Sequence, residues 1–337
     1  MIVATIKDVA KKAGVAVSTA SYALNGRSEK VSKETEAKVL EAARELNYRP
    51  NAIARSLVRQ KTDTIGLFLL LDHVDINQPY VVELIMGIMN VSRQNGYDIV
   101  LFSNIEVEET SYIERCRERS VDGAIVFGMY NDDPHLPELK ESEIPIVSIQ
   151  VPVVGEKTTY ITSDHQNGAY KAVNYLLTKG HQNIVLVNGD PQATVAQQRL
   201  AGYKEAYQEA GLEFNDQWIL HGDFEREVAY QKMKEFLAQG EEFTAVFAAA
   251  NLIALGVMDA LEEAGIDIPE QVSVICFDDI SLPAHLAPQL TAVSEKTTQI
   301  GEQAINMLVQ MIDGARNLPP AFLEYQLIER GSVKEIN

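Results

Sequence analysis

The chain has 337 residues, 46% of them hydrophobic, and a formal net charge of -19. That length allows a small domain plus a body with two substantial cores. The two cysteines, Cys116 and Cys276, exclude a disulfide scaffold, and no apolar run reaches membrane-spanning length. The acidic total argues against nucleic acid, but the charge is divided: residues 1–61 hold twelve Lys and Arg against six Asp and Glu, which leaves about -25 for the remainder.

At the basic end, Ile6, Val9, Ala10 and Ala13 recur at helical spacing behind Thr5, with Asp8 three residues on as a capping-box partner. Gly14-Val15 supplies a tight turn, and a second helix runs from about Val17 to Leu24, stopped by Asn25-Gly26. Two short helices joined in this way form a helix-turn-helix unit, whose second helix can enter the major groove. Ser32 caps a third helix, Lys33 to Leu46, with Val39, Leu40, Ala43 and Leu46 as its apolar stripe. Pro50 then disfavours helix at Arg49, Asn51 can cap, and Ala52 to Leu57 spans only two turns, too short to be stable alone. The expected organisation is a DNA-binding head over 1–49 and a hinge helix with linker over 50–61.

From Thr64 the pattern alternates. Continuous apolar runs predict buried parallel strands at Ile65 to Leu71, Ile99 to Phe102, Ala124 to Phe127, Pro145 to Ile149, Ile184 to Val187, Ala245 to Ala249 and Val272 to Phe277. Amphipathic helices are expected at about 80–95, 108–119, 165–179, 195–210, 226–239, 252–264 and 297–313. Such alternation implies doubly wound parallel sheets, with enough strands for two. The start, Met1 to Asp8, leads straight into a capped helix with no secretory signal, so a cytoplasmic location with reduced thiols is expected.

Thr5-Ile6-Lys7-Asp8-Val9-Ala10, Ala13-Gly14-Val15, Thr19-Ala20-Ser21, Leu24-Asn25-Gly26, Val31-Ser32 and Leu46 to Leu57 resemble the head of the lactose/galactose repressor (LacI/GalR) family. The resemblance continues through Val121-Asp122-Gly123, Gly180-His181-Gln182-Asn183-Ile184, Arg199-Leu200-Ala201-Gly202-Tyr203 and Phe277-Asp278-Asp279, so it covers essentially the whole chain. It implies an all-α helix-turn-helix head on an α/β body of two doubly wound parallel-sheet lobes, like periplasmic binding proteins. The first lobe would comprise 62–162 with 291–320 and the second 163–290 with 321–337, with the effector in the cleft between them.

The resemblance also assigns roles. Val17, Ser18 and Tyr22 would face base edges; Thr5, Thr19, Ser21 and Asn25 would hold the phosphate backbone. Ala54, Arg55 and Leu57 would sit in the minor groove, with Leu57 as a wedge when two copies pair. None of the three base readers is an Arg, Gln or Asn, so bidentate base contacts are not expected from them. Ala16 stands where the family usually has Ser, which removes a cap.

In the body, loops after the carboxyl ends of parallel strands are where such sheets bind ligands, and sugar hydroxyls call for Arg donors and Asp acceptors. Arg199 and Asp278 meet both conditions, with an interlobe ion pair as the alternative reading of the two. Phe224 would stack on a ring, and Tyr80, Gln150 and Glu295 fall at further matching positions. Ala250 removes a polar side chain that often touches a sugar, which points to a different or larger saccharide, or to another effector; Asn251 is expected to cap the helix that follows.

The expected function is a sequence-specific transcriptional regulator, a repressor acting as a homodimer on a pseudo-palindromic operator under a small-molecule effector. Dimer contacts are expected from segments near 80–95 and 250–285. An activator or a purine-type corepressor-dependent regulator is the alternative. A transport-type solute-binding protein would need an export signal, and an enzyme would need a motif that is missing here. Gly66 stands alone rather than in a Gly-x-Gly-x-x-Gly loop, and no catalytic triad, metal set or cofactor motif appears at motif spacing.

Overall fold

The computed structural model describes residues 4–24, 30–48, 61–70, 78–102, 111–279 and 288–336. The chain divides into two compact units at Asp63 and Thr64. The first holds three helices, α1 (Ile6–Ala13), α2 (Val17–Leu24) and α3 (Lys33–Glu45). The Asp8 carboxylate accepts from the Thr5 backbone N–H at 2.8 Å and from its hydroxyl at 2.7 Å, which closes the first turn of α1. Those two hydrogen bonds hold the Asp8 carboxyl below the usual carboxylate range. Gly14 ends the helix in the left-handed region at φ 68°, as a residue without Cβ can do cheaply. Ser32 caps α3 by accepting from the Thr35 N–H.

Val9, Ala10, Ala20, Ala23, Val39, Ala42 and Ala43 form the core of this unit. The stripe of α3 therefore runs through Ala42, whereas Leu40, expected inside, is 40% exposed. With only three helices to cover it, the core seats the small alanines and leaves the bulkier leucine at its rim. Asn25, Ala54, Arg55 and Leu57, and with them all of the expected hinge and linker over 50–61 except Lys61, lie outside the described residues.

The second unit is built on two six-stranded sheets. The first contains β1 (Thr64–Leu69), β2 (Asp98–Phe102), β3 (Gly123–Phe127), β4 (Ile146–Ile149), β5 (Thr158–Ser163) and β11 (Ala321–Leu323), in the order β11-β5-β4-β3-β1-β2, all parallel. The second contains β6 (Ile184–Asn188), β7 (Ile219–His221), β8 (Ala245–Ala248), β9 (Ser273–Phe277), β10 (Thr291–Ser294) and β12 (Gln326–Ile328), in the order β12-β10-β9-β8-β6-β7. Here only the β10–β12 pair is antiparallel.

Helices cover both faces of each sheet. In the first lobe these are α4 (Pro79–Gln94), α5 (Tyr112–Arg119), α6 (Leu136–Lys140) and α11 (Thr297–Ile312); in the second they are α7 (His165–Thr178), α8 (Thr194–Glu209), α9 (Arg226–Leu237) and α10 (Asn251–Glu263). Ile65, Leu67, Ile125 and Val147 face Leu84 and Ile88 of α4 and Ile305 and Leu308 of α11. Phe68, Ala124 and Val126 face the other way, toward Tyr112 and Cys116 of α5. Alternate residues of each strand thus enter different cores, which is why these strands read as unbroken apolar runs. Both thiols are buried, and burial pushes Cys116 up to about 12.

Two expectations about lobe membership are corrected. β10, expected in the first lobe, pairs with β9 in the second sheet, and β11, expected in the second lobe, pairs with β5 in the first. The chain therefore crosses between lobes at residue 164, at 295–296 and at 324–325. Each crossing comes after a strand has joined a sheet, because a strand leaving the sheet early would abandon its backbone hydrogen bonds.

Candidate functional site

In each sheet the first and third strands lie side by side and the connections diverge to either side: β1 beside β3, and β6 beside β8. Such switch points are where doubly wound sheets bind ligands, beyond the carboxyl ends of the strands. The two carboxyl ends face each other across a cleft of about 1070 Å³, lined from the first lobe by Tyr80, Phe127, Met129, Tyr130 and Gln150 and from the second by Asp190, Arg199, Phe224, Ala250 and Asp278, among others. Five of the six residues expected to meet an effector, namely Arg199, Asp278, Phe224, Tyr80 and Gln150, line this space.

Backbone geometry aims several of them. Gln150, Phe224 and Asp278 have φ of 75°, 60° and 70°, each at or near the end of a strand. Non-glycine residues held in the left-handed region cost energy, and such positions cluster at ligand sites. The turn that carries Phe224 presses its ring onto Gly189, where an added Cβ would come within 2.0 Å of Phe224 Cζ. Tyr80, at the start of α4, stacks on Phe127 with ring centroids 5.9 Å apart, and its hydroxyl accepts from Gln150 Nε2 at 3.1 Å.

Arg199 is 3% exposed. Its guanidinium lies 3.9 Å from the Phe277 ring centroid and donates through Nη1 to the Ala249 carbonyl, while Nη2 stands 3.8 Å from Asp278 Oδ2. Both residues of this ion pair belong to the second lobe, so the interlobe alternative is overturned. Nη2 is also 3.4 Å from His165 Nδ1, which receives the Tyr325 hydroxyl at 2.8 Å. A guanidinium only donates, so Nδ1 accepts and the ring proton sits on Nε2. Burial and Arg199 hold His165 well below the usual imidazole range, hence neutral. Burial raises the Asp278 carboxyl, with Arg199 opposing.

Glu295 differs from its expected role. It is 5% exposed and is not part of the cleft lining; it lies under it, with its carboxyl group faced by Tyr80 and Tyr325. Two contacts of the cleft were not foreseen. Tyr130, beyond β3, donates to Asp190 Oδ2 at 2.9 Å, a hydrogen bond that joins the lobes across the cleft. Asn251 is not the cap of α10: Ala250 takes that position, and the Asn251 amide oxygen faces the Cys276 thiol.

In the head, Val17 and Ser18 of α2 are exposed and Tyr22 is half-buried, while Ala20 and Ala23 of the same helix are in the core. The three expected base readers therefore share the outer side of α2. Lys30 Nζ lies 5.1 Å from the Tyr22 ring centroid, a cation next to the reading side chain. Thr19 and Ser21 are half-buried on the flanks, whereas the Thr5 hydroxyl is already engaged by Asp8.

A ligand-sized cleft between doubly wound lobes, on one chain with a helix-turn-helix head, defines a small-molecule-responsive DNA-binding protein. Residues 5–51 match the family described as bacterial regulatory proteins, lacI family, and residues 173–333 match the periplasmic binding protein-like domain. A helix-turn-helix transcriptional repressor PurR of Photobacterium profundum is 32% identical over 339 residues, covering 99% of this chain and all of that one. The PurR of Histophilus somni strain 129Pt is 35% identical over 312 residues, 92% of each chain. Among solved structures, the transcriptional regulator CelR in complex with cellobiose is 30% identical with a TM-score of 0.72, covering 98% of this chain and 99% of that one. The Lac repressor bound to operator has a TM-score of 0.85 at 24% identity over the same shares, a likeness of fold. The chain belongs to the LacI family. It is a DNA-binding transcriptional repressor, and its relatives are regulators rather than enzymes.

Proposed function

We propose that the protein represses transcription as a cytoplasmic homodimer on a pseudo-palindromic operator, and that its effector is an uncharged polyhydroxyl compound larger than one sugar ring. The observation that carries this reading is the lining of the cleft. Asp190, Asp223, Glu225, Glu227 and Asp278 face Arg199 and Arg226, and Arg226 is already held by Asp259 through two hydrogen bonds of 2.7 and 2.9 Å. Among the described residues, a phosphorylated or carboxylated ligand would meet this excess of negative charge with Arg199 alone to receive it, whereas hydroxyls can donate to the carboxylates. The volume stands at the top of the roughly 300–1,000 Å³ common for small-ligand sites. Two aromatic surfaces, Phe224 in one lobe and Tyr80 with Phe127 in the other, offer places for two rings. The CelR–cellobiose complex fits the same reading.

Homodimerisation is supported by α4, on which Val82, Met86 and Met89 are 46%, 51% and 52% exposed along one side, and by Leu101 at 43% on β2, the edge strand of the first sheet. In the head, Val17, Ser18 and Tyr22 would read bases, with Thr5, Thr19, Ser21 and Asn25 on the backbone and Ala54, Arg55 and Leu57 in the minor groove. Selection of random duplexes by the full chain, with and without cellobiose and other unphosphorylated disaccharides, tests the proposal. Dyad-symmetric sites should be enriched, and one of the sugars should shift their affinity by about 5- to 150-fold. Enrichment of no symmetric site, or a response only to phosphorylated sugars, would overturn it.

A further inference from the structure

Each of the three crossings between lobes places a polar side chain in one buried cluster: His165 follows the first, Glu295 begins the second and Tyr325 lies in the third. All three are 5% exposed or less, and the cluster lies directly beneath Arg199 and Asp278. Glu295 is the unusual member. Neither of its oxygens completes a hydrogen bond, and Asp278 Oδ1 is also without one. The groups that face it come from every element around it: the Tyr80 hydroxyl from α4, Asp278 from the end of β9, Arg199 from α8 and Tyr325 from the third crossing. Glu83 of α4 adds a further carboxyl toward Asp278. One guanidinium therefore serves two buried acids, and its Nη1 is already committed to Ala249. Two carboxylates cannot both stay ionised in such a space, so the pair retains a proton.

We propose that Glu295 is a positioning residue for effector binding: by carrying the proton that the Glu295–Asp278 pair requires, it holds Arg199 and the three crossings in the arrangement seen here, and loss of that proton lets the lobes part. Burial and Asp278 push Glu295 up to about 8, against 4.5 for a hydrated glutamate. Between those values this arrangement binds one more proton than a state in which Glu295 meets water. Its stability is therefore greatest below about pH 4.5, falls as pH rises toward 8 and is level above it. The link to effector binding rests on the proposed reading of the cleft. The switch itself can be measured without an effector, so the two can fail separately.

Urea unfolding of the full chain and of Glu295→Gln should be compared from pH 5.5 to 8.5. Glutamine keeps the shape of the protonated acid and does not titrate. The wild-type unfolding constant should rise relative to the variant by up to tenfold per pH unit and level off above about 8. Small-angle scattering should show the wild-type radius of gyration increasing over the same range and that of the variant constant. Unfolding curves that differ by a pH-independent offset, or a wild-type radius that does not change, would overturn the proposal. Should Glu295→Gln not fold, Tyr80→Phe serves: the Tyr80 hydroxyl accepts from Gln150 and so keeps its proton for the Glu295 it faces, and removing it takes away a group that lowers the Glu295 pKa, so the transition should move to higher pH, and an unmoved transition counts against the switch.

Discussion

Replacing Arg199 with alanine is expected to abolish the response to effector and to destabilise the body by about 3–5 kcal/mol, the range for removing one partner of a buried ion pair. Asp278 would lose the only cation among the groups that shift its pKa, the Ala249 carbonyl would lose its donor, and the Phe277 ring would lose the flat guanidinium packed on it. The loss is bounded because Asp278 and Glu295 can take up protons rather than remain charged. Arg199→Lys keeps the charge but has no planar fork to reach both Ala249 and Asp278, so it should fall between wild type and alanine. Denaturant unfolding decides the matter: an alanine variant within 1 kcal/mol of wild type would show that Arg199 is a cleft residue of no structural weight.

Gly87→Ala should have the second large effect. A Cβ at Gly87 would lie 2.1 Å from the Thr298 carbonyl oxygen of α11, and one at Gly301 would lie 2.3 Å from the Leu84 carbonyl oxygen of α4. The two glycines let these helices meet backbone to backbone. The second lobe repeats the device, with Gly202 of α8 against Gln166 of α7 and Gly256 of α10 against Arg226 of α9. Alanine favours an isolated helix by about 0.8–1.0 kcal/mol over glycine, but here the methyl group meets main chain that cannot rotate away. Overpacking of this kind costs about 1–3 kcal/mol or more, so the first lobe should lose about 2 kcal/mol net, roughly 4–8 °C in Tm for a body of this size. A Tm unchanged or raised would mean that the helices separate freely.

The doubly wound fold was legible because its central strands are apolar on both sides, and runs such as Val272 to Phe277 have no other reading at that length. β5 was missed: Thr158-Thr159-Tyr160-Ile161-Thr162-Ser163 looks like a polar loop, yet Thr158, Thr159, Thr162 and Ser163 are all buried between neighbours. The three-residue strands β7, β11 and β12 carry too few residues for any period to show. In the cleft, Arg199, Asp278 and Phe224 could be anticipated because strand ends and side-chain chemistry both mark them, and Tyr80 and Gln150 only because they fall at positions that match the family. Glu295 misled because a glutamate immediately after a strand gives no local sign of being buried. The Tyr130–Asp190 contact joins residues 60 positions apart, and only the closeness of two separately folded sheets brings them together.

The exchange of late segments between lobes bears on how the molecule is made. Ile300, Ala304, Ile305 and Leu308 of α11 form one wall of the first lobe's core, yet five of the six strands of the second-lobe sheet are synthesised before them. At about 5–20 residues per second, the β1–β5 sheet waits on the order of ten seconds with that wall missing, and Leu84, Ile88 and Ile125 open to water or to chaperones. Nascent chains arrested before residue 297 should be cut by protease in the first lobe, and chains arrested well beyond 312 should resist. Equal resistance of both would mean that the early half finds another cover.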